Sequence, residues 1–258
     1  MGYPSLAACV ADLEKHGHLV RIKEEVDPYL EMAAIHMRVY DAQGPALLFE
    51  NIKGSEFPAV SNLFGTLDRS KFMFRDTLDH IKKLVDVKMD PTAVLKNPFQ
   101  YIGSSAVALG ALPWKKKSGA PILYGKTQIS KLPQIVNWPM DGGAFVTMPQ
   151  VYTEDATKPG IMKANLGMYR IQLSGNEYIQ DKEIGLHYQL HRGIGVHQQK
   201  ANELGKPLKV SIFVGGPPSH PLSAVMPLPE GLSETIFAGA LGNRRFRYFY
   251  DEEGFCIS

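Results

Sequence analysis

The chain has 258 residues, of which 44% are apolar and 21% charged, with a formal net charge of +2. That length holds one large domain or two ordinary ones, and the balance is that of a folded globular protein rather than a disordered tail or a fibre. Charges of both signs are interspersed, which excludes a field suited to wrapping nucleic acid, and no stretch approaches the ~18 consecutive apolar residues of a membrane span.

Pro4-Ser5 opens a helix in which Leu6, Val10 and Leu13 recur on one face, with Gly17 as the left-handed terminator. A short strand is expected at Leu19 to Ile22, then an amphipathic helix through Leu30, Ala34 and Met37 that ends by Gly44-Pro45. Ala46 to Phe49 and Ala59 to Leu63 are apolar runs flanked by Gly and Pro and read as buried strands. Asp76 is expected to cap a helix carrying Leu78, Ile81, Leu84 and Val85. Helices alternating with buried strands predict a small α/β domain. Between Lys96 and Pro121 the periodicity gives way to Pro98, Pro113, a solvated loop of Lys115, Lys116 and Lys117, and Gly119-Ala120-Pro121, which places a boundary there. Beyond it, β-rich stretches are expected at Ile129 to Trp138, Phe145 to Tyr152, Ile161 to Leu173 and Lys209 to Val214. Helices are expected near Ile194 to Leu204 and Ser233 to Ala240, and the whole reads as a small barrel or sandwich. The fold class is therefore α+β, with an α/β domain over 1–110 and a β-rich domain over 111–258.

Cys9 and Cys256 stand far apart and form no close-spaced metal or redox pair, which suits a reducing cytoplasm. Asp12, Glu14 and Lys15 interrupt the first apolar run, so no secretory leader is expected.

Several segments could carry chemistry. Asn165-Leu166-Gly167-Met168-Tyr169-Arg170 puts an amide, a glycine and an arginine inside an expected strand. Strict alternation would send Asn165 and Arg170 to opposite faces, so a shared site would require a bulge or kink at Gly167. His187, His191 and His197 crowd one segment without any common zinc spacing and read as one functional and two surface histidines. Gly215-Gly216-Pro217-Pro218 follows a strand, where glycine lets backbone approach a ligand, but is no dinucleotide fingerprint. Ser233 reads as a helix cap, and Glu234 in the first turn gains from the helix dipole. Glu230, in a Pro-Gly turn, reads as a solvated carboxylate.

Together these segments resemble the UbiD family of reversible decarboxylases. The likeness includes Gly44-Pro45-Ala46-Leu47-Leu48-Phe49-Glu50-Asn51, Phe57-Pro58-Ala59-Val60-Ser61-Asn62-Leu63-Phe64-Gly65 and Asp141-Gly142-Gly143. The resemblance implies prenylated FMN as cofactor and an aromatic or α,β-unsaturated acid as substrate. It implies a split β-barrel-like cofactor domain over 111–258, a UbiX-type flavin prenyltransferase as cofactor source, and a homo-oligomer. By the family pattern Asn165, His191 and Glu234 bind Mn2+ or Mg2+, often with K+ nearby, and His187 is a near alternative to His191. Arg170 matches the catalytic arginine. Met168, Tyr169, Leu190, Met226 and Pro227 flank the cofactor. Family members continue past Ser258 into a strand supplying catalytic glutamates, so an isolated chain of this length is expected to turn over little. Two other readings are a non-catalytic flavin-binding or assembly subunit and a conventional FMN reductase.

Overall fold

A computed structural model describes residues 2–89, 107, 110–117, 125–228 and 232–258 of the chain. The first helix, α1, spans Leu6–Lys15; the Ser5 side chain accepts a hydrogen bond from the Ala8 amide at its N-terminus, and Gly17 follows at φ +75°. Cys9, Val10 and Leu13 are buried, as the spacing of its apolar residues predicts.

Three strands follow: β1 (Leu19–Val26), β2 (Ala46–Ile52) and β3 (Ala59–Ser61). β1 and β2 pair in parallel and β3 adds antiparallel to β2. The parallel pair needs a crossover, supplied by α2 (Glu31–Asp41). Successive side chains of β2 enter opposite cores. Ala46 and Leu48 join α1, whereas Leu47, Phe49 and Ile52 join Met32, Ile35 and Val39 of α2. A strand covered on both faces reads as an unbroken apolar run, which is why the sequence signalled β2 clearly. The face of α2 differs from expectation: Met32, Ile35 and Val39 turn inward, while Ala34 and Met37 are exposed.

Next come α3 (Leu67–Met73) and α4 (Leu78–Met89). The unexpected α3 starts at Thr66, whose side chain accepts from the Arg69 amide. Arg69 is 2% exposed, and its guanidinium donates to the carbonyls of Gly44, Asn62 and Leu63. No carboxylate is involved, and burial alone lowers its pKa. This side chain ties the β3 exit loop to the turn before β2. Most of the expected boundary between Lys96 and Pro121, and Glu230, lie outside the described residues.

The second half holds β4 (Trp114–Lys115), β5 (Phe145–Val146), β6 (Gln150–Thr153), β7 (Asn165–Gly167), β8 (Arg170–Gln172), β9 (Gly185–His187), β10 (Val210–Phe213), β11 (Arg247–Tyr250) and β12 (Cys256–Ile257). Its helices are α5 (Gly193–Glu203), α6 (Ser219–Val225) and α7 (Glu234–Leu241). The strands form sheets of order β10-β6-β7, β5-β8-β9 and β12-β11-β4. Among the described residues these remain separate sheets, so no closed barrel is seen, and the fold is mixed α+β.

Three expected strands are corrected. Ile129 to Trp138 forms a 3-10 turn at Ile129–Lys131 and a single bridge from Val136 to Tyr29. Phe145 to Tyr152 divides into β5 and β6, which enter different sheets. Ile161 to Leu173 divides into a 3-10 turn, β7 and β8. Asp141-Gly142-Gly143 is a turn: the Asp141 carboxylate accepts from the Asn137 and Trp138 amides, and a Cβ on Gly143 would overlap the Ser174 carbonyl. Among the described residues no helix is long and apolar enough to cross a membrane.

The Arg69 clamp gives a stability test. Replacing Arg69 by Met should cost about 2–4 kcal/mol in urea unfolding, because buried carbonyls lose their donor. A loss below about 1 kcal/mol would show that the clamp is dispensable.

Candidate active site

β7 and β8 are consecutive in the chain yet belong to different sheets. At Met168-Tyr169 the backbone leaves one sheet and enters the other, and the Met168 amide is held by the Ala224 carbonyl of α6 at 3.1 Å. Tyr169 folds back over Gly167, where a Cβ would overlap its ring. The break removes the alternation problem, since Asn165 and Arg170 no longer share one strand. Both line a single cleft of about 630 Å³.

Asn165, Met168, Tyr169, Arg170, Met226, Pro227 and Glu234 all face this cleft, as do His187, Tyr188 and Arg192. Leu190 and His191 do not line it; both are exposed, Leu190 to 82%, on the turn between β9 and α5. Of Asn165, His191 and Glu234, expected to converge on one point, Asn165 and Glu234 line this cleft and His191 does not. Nor are the remaining histidines both on the surface. His197 is buried in α5, its Nδ1 2.9 Å from Thr153 Oγ1, and burial lowers its pKa. His187 is exposed and is the histidine on the cleft lining.

The Asn165 amide is oriented. Its Nδ2 donates to the Tyr169 hydroxyl at 3.4 Å, while Oδ1 lies against Gly193, where a Cβ would overlap it. Gly193 is thus a space requirement: it lets a hard carbonyl oxygen, which takes no hydrogen bond among the described residues, sit at the N-terminus of α5.

Glu234 opens α7. Ser233 holds the N-cap position, but its hydroxyl pairs with Thr235 Oγ1 at 2.8 Å instead of capping the helix. Glu234 is half-buried and is the only acidic side chain on the described lining. Burial raises its pKa, opposed by its own amide and that of Leu166. No cationic side chain contributes. A half-buried carboxylate on the same cleft lining as an amide oxygen fits a hard divalent cation, whose charge would relieve the desolvation. Among the described residues no three His, Cys, Asp or Glu side chains cluster, so such a site would need the amide.

Arg170, at the other side of the strand break, is exposed and lies over the Phe145 ring at 5.7 Å. No carboxylate of the described residues pairs with it. Exposure permits this, because hydration keeps the guanidinium charged at little cost.

The same pairing of segments recurs in known proteins. The 3-octaprenyl-4-hydroxybenzoate carboxy-lyase Rift-related domain matches residues 115–254, and the N-terminal domain of the same enzyme matches residues 10–88. The chain belongs to the UbiD family. A Chlamydia trachomatis relative is 37% identical over 249 residues, covering 95% of this chain and 41% of its own length. A Chlamydia pneumoniae relative, named as one of the subunits of a 4-hydroxybenzoate decarboxylase, is 37% identical over 232 residues, covering 89% and 38%. Vanillic acid decarboxylase of Sedimentibacter hydroxybenzoicus in its closed form shares the fold at a TM-score of 0.79 and 24% identity, over 98% of this chain and 51% of that one. An evolved dimeric form of the UbiD-class enzyme HmfF from Pelotomaculum thermopropionicum, in complex with prFMN, superposes at 0.75 with 21% identity, over 99% and 54%. The chain therefore spans about half the length of these relatives or less.

The raised pKa of Glu234 has a measurable sign. The folded chain holds the proton more tightly than the unfolded one, so this group's contribution is full below the ordinary carboxylate pKa and is lost as pH rises through the folded value. In the metal-free chain Glu234→Gln should raise Tm at neutral pH, and the gain should vanish below about pH 4. An equal Tm at both ends of that range would show that the carboxylate is not strained by burial.

Proposed function

We propose that this chain is the cofactor-binding portion of a UbiD-type carboxy-lyase that reversibly and non-oxidatively decarboxylates an aromatic or α,β-unsaturated acid with prenylated FMN. One observation carries the reading: Arg170 and Glu234, which have no partner of opposite charge among the described residues, lie on one cleft lining with the amide oxygen of Asn165. Family membership supports it, and the activity of the whole protein is part of the proposal.

Asn165 Oδ1, the Glu234 carboxylate and the His191 imidazole would hold Mn2+ or Mg2+, which suits a mostly oxygen ligand set, with K+ as a neighbour. Taking part would require His191 to turn inward from the loop next to Gly193. The metal would grip the cofactor phosphate, and Met168, Tyr169, Leu190, Met226 and Pro227 would pack its rings. The prenylated flavin supplies the electron sink that cleavage at an sp2 carbon needs. Arg170 holds the substrate carboxylate in two parallel hydrogen bonds and steadies the charge as the bond to carbon dioxide breaks. The antiparallel sheets β10-β6-β7 and β5-β8-β9 would be the halves of a split barrel within a domain over 111–258, following an α/β domain over 1–110. A UbiX-type prenyltransferase supplies the cofactor, the full-length protein is a homo-oligomer, and a reducing cytoplasm suits the free, buried thiols of Cys9 and Cys256. A conventional FMN reductase would have no use for the amide and carboxylate pair.

The test uses the full-length gene product co-expressed with a flavin prenyltransferase, with metal and flavin measured by mass spectrometry. Arg170→Ala should abolish decarboxylation, by about 100-fold or more, while metal and flavin stay bound. Glu234→Ala should lose both together. Wild-type turnover in the first variant, or full metal and flavin in the second, overturns the assignment.

A further inference from the structure

A second pocket, of about 520 Å³, shares no lining residue with the cleft of Arg170 and Glu234. Lys116, Arg244, Arg245 and Arg247 line it, and no acidic side chain does. Phe246 is fully buried between Arg245 and Arg247, so in extended chain both arginines turn to the opposite side, and both are exposed. Lys116, expected in a solvated loop, is half-buried, and its amide donates to the Tyr248 carbonyl at 2.6 Å. None of the four has an ion-pair partner among the described residues. Lys116 and Arg245 lie over the Trp114 ring at 5.3 and 5.5 Å, and Arg244 donates to the Tyr3 carbonyl at 3.5 Å. The pKa of Arg244 is lowered, by burial first and then by the charge of Arg247. Like charges gathered in this way repel, and an anion seated among them removes the repulsion.

The turn after β10 lines the same pocket. Gly215 and Gly216 stand at φ +79° and +82°, and their amides donate to no group among the described residues. Gln150, 1% exposed, holds this turn through Nε2, which donates to the Gly215 carbonyl at 3.3 Å. Backbone without a side chain lets an anion come close to its amides. Phe213 and Phe249 add an apolar lining, and His220 adds no charge, because burial and then Arg244 push its pKa down to about 4. Four positive charges suit a diphosphate or triphosphate better than a single carboxylate, and guanidinium forks match phosphate oxygens. The volume is that of a small-molecule site. We propose that this pocket binds a phosphorylated organic molecule, its phosphates held by Arg244, Arg245, Arg247 and Lys116 and its apolar or aromatic body packed on Phe213 and Phe249. The inference is independent of the carboxy-lyase reading, because it uses none of the residues of the other cleft.

The experiment is a calorimetric titration of the full-length protein with three probes: inorganic pyrophosphate for the charged head alone, ADP for an aromatic body and octyl diphosphate for an aliphatic one. At least one of the two organic probes should bind about tenfold more tightly than pyrophosphate, and which of them does so identifies the body. Arg245→Gln and Arg247→Gln, both at exposed positions, should each weaken binding about tenfold, the worth of one hydrogen bond to a charged group, and should keep the wild-type flavin and metal content. Glu234→Ala, which alters the other cleft, should leave the three Kd values unchanged. Absence of binding at millimolar probe, no gain over pyrophosphate from either organic probe, an unchanged Kd in both arginine variants, or loss of binding in Glu234→Ala overturns the proposal.

Discussion

Between Gly167 and Arg170 the chain is handed from one three-stranded sheet to another, and the cleft is built around that transfer. A β-strand alternates its side chains, so a continuous strand would have separated Asn165 from Arg170. The break at Met168-Tyr169 cancels the alternation while keeping each residue on a hydrogen-bonded strand, paired with β6 on one side and β9 on the other. The transfer needs Gly167, because Tyr169 turns back over it, and it is anchored by the Met168 amide to α6. Rigid sheets thus present the polar groups, and only two residues absorb the change of direction.

The second constraint is α7. Phe237, Ala240 and Leu241 enter the core made by α1, β1 and β2, whereas Ala238 enters the core shared by Tyr152, Leu166 and Phe246. Gly239 lies so close to the Ala111 carbonyl that a Cβ would overlap it. A helix apolar on nearly every side is held by its surroundings on all of them. Its first turn, with Glu234, is fixed as a consequence, which holds that carboxylate half-buried on the cleft lining.

Elements whose own residues carry the apolar signal were legible in the sequence: α1 from the single face of Leu6, Val10 and Leu13, β2 from its unbroken run, α7 from the apolar stretch of Ile236 to Ala240. What was hidden depended on contacts between distant segments. The short helix α3 carries a buried Arg69 whose partners are backbone carbonyls outside the helix, so no apolar stripe announced it. The helix α6 follows Gly215-Gly216-Pro217-Pro218 and contains Pro221, all turn signals, yet proline is tolerated in a first helical turn, where its missing amide proton costs nothing. Two of the three histidines His187, His191 and His197 were expected on the surface, yet His197 is buried against Thr153, a partner on the distant strand β6. At the cleft, the family resemblance named Asn165, Arg170 and Glu234, which all line it, whereas His187 rather than His191 came to line it through the position of β9.

The charges of the cleft are instructive for what they do not do. Arg170 and Glu234 line the same space, and a salt bridge between them would have satisfied both groups and left little field for a ligand. Among the described residues neither has an ion-pair partner, and the fold accommodates this by different means. Arg170 is left in contact with solvent over an aromatic face, where an unpartnered guanidinium costs little; Glu234 is drawn into a half-buried helix start, where an unpartnered carboxylate is raised in pKa. One end of the cleft therefore favours an anion and the other a cation. A bound metal carrying a phosphate at the Glu234 end and a carboxylate at the Arg170 end would satisfy the two groups at once, and neither ligand would compete for the other's partner.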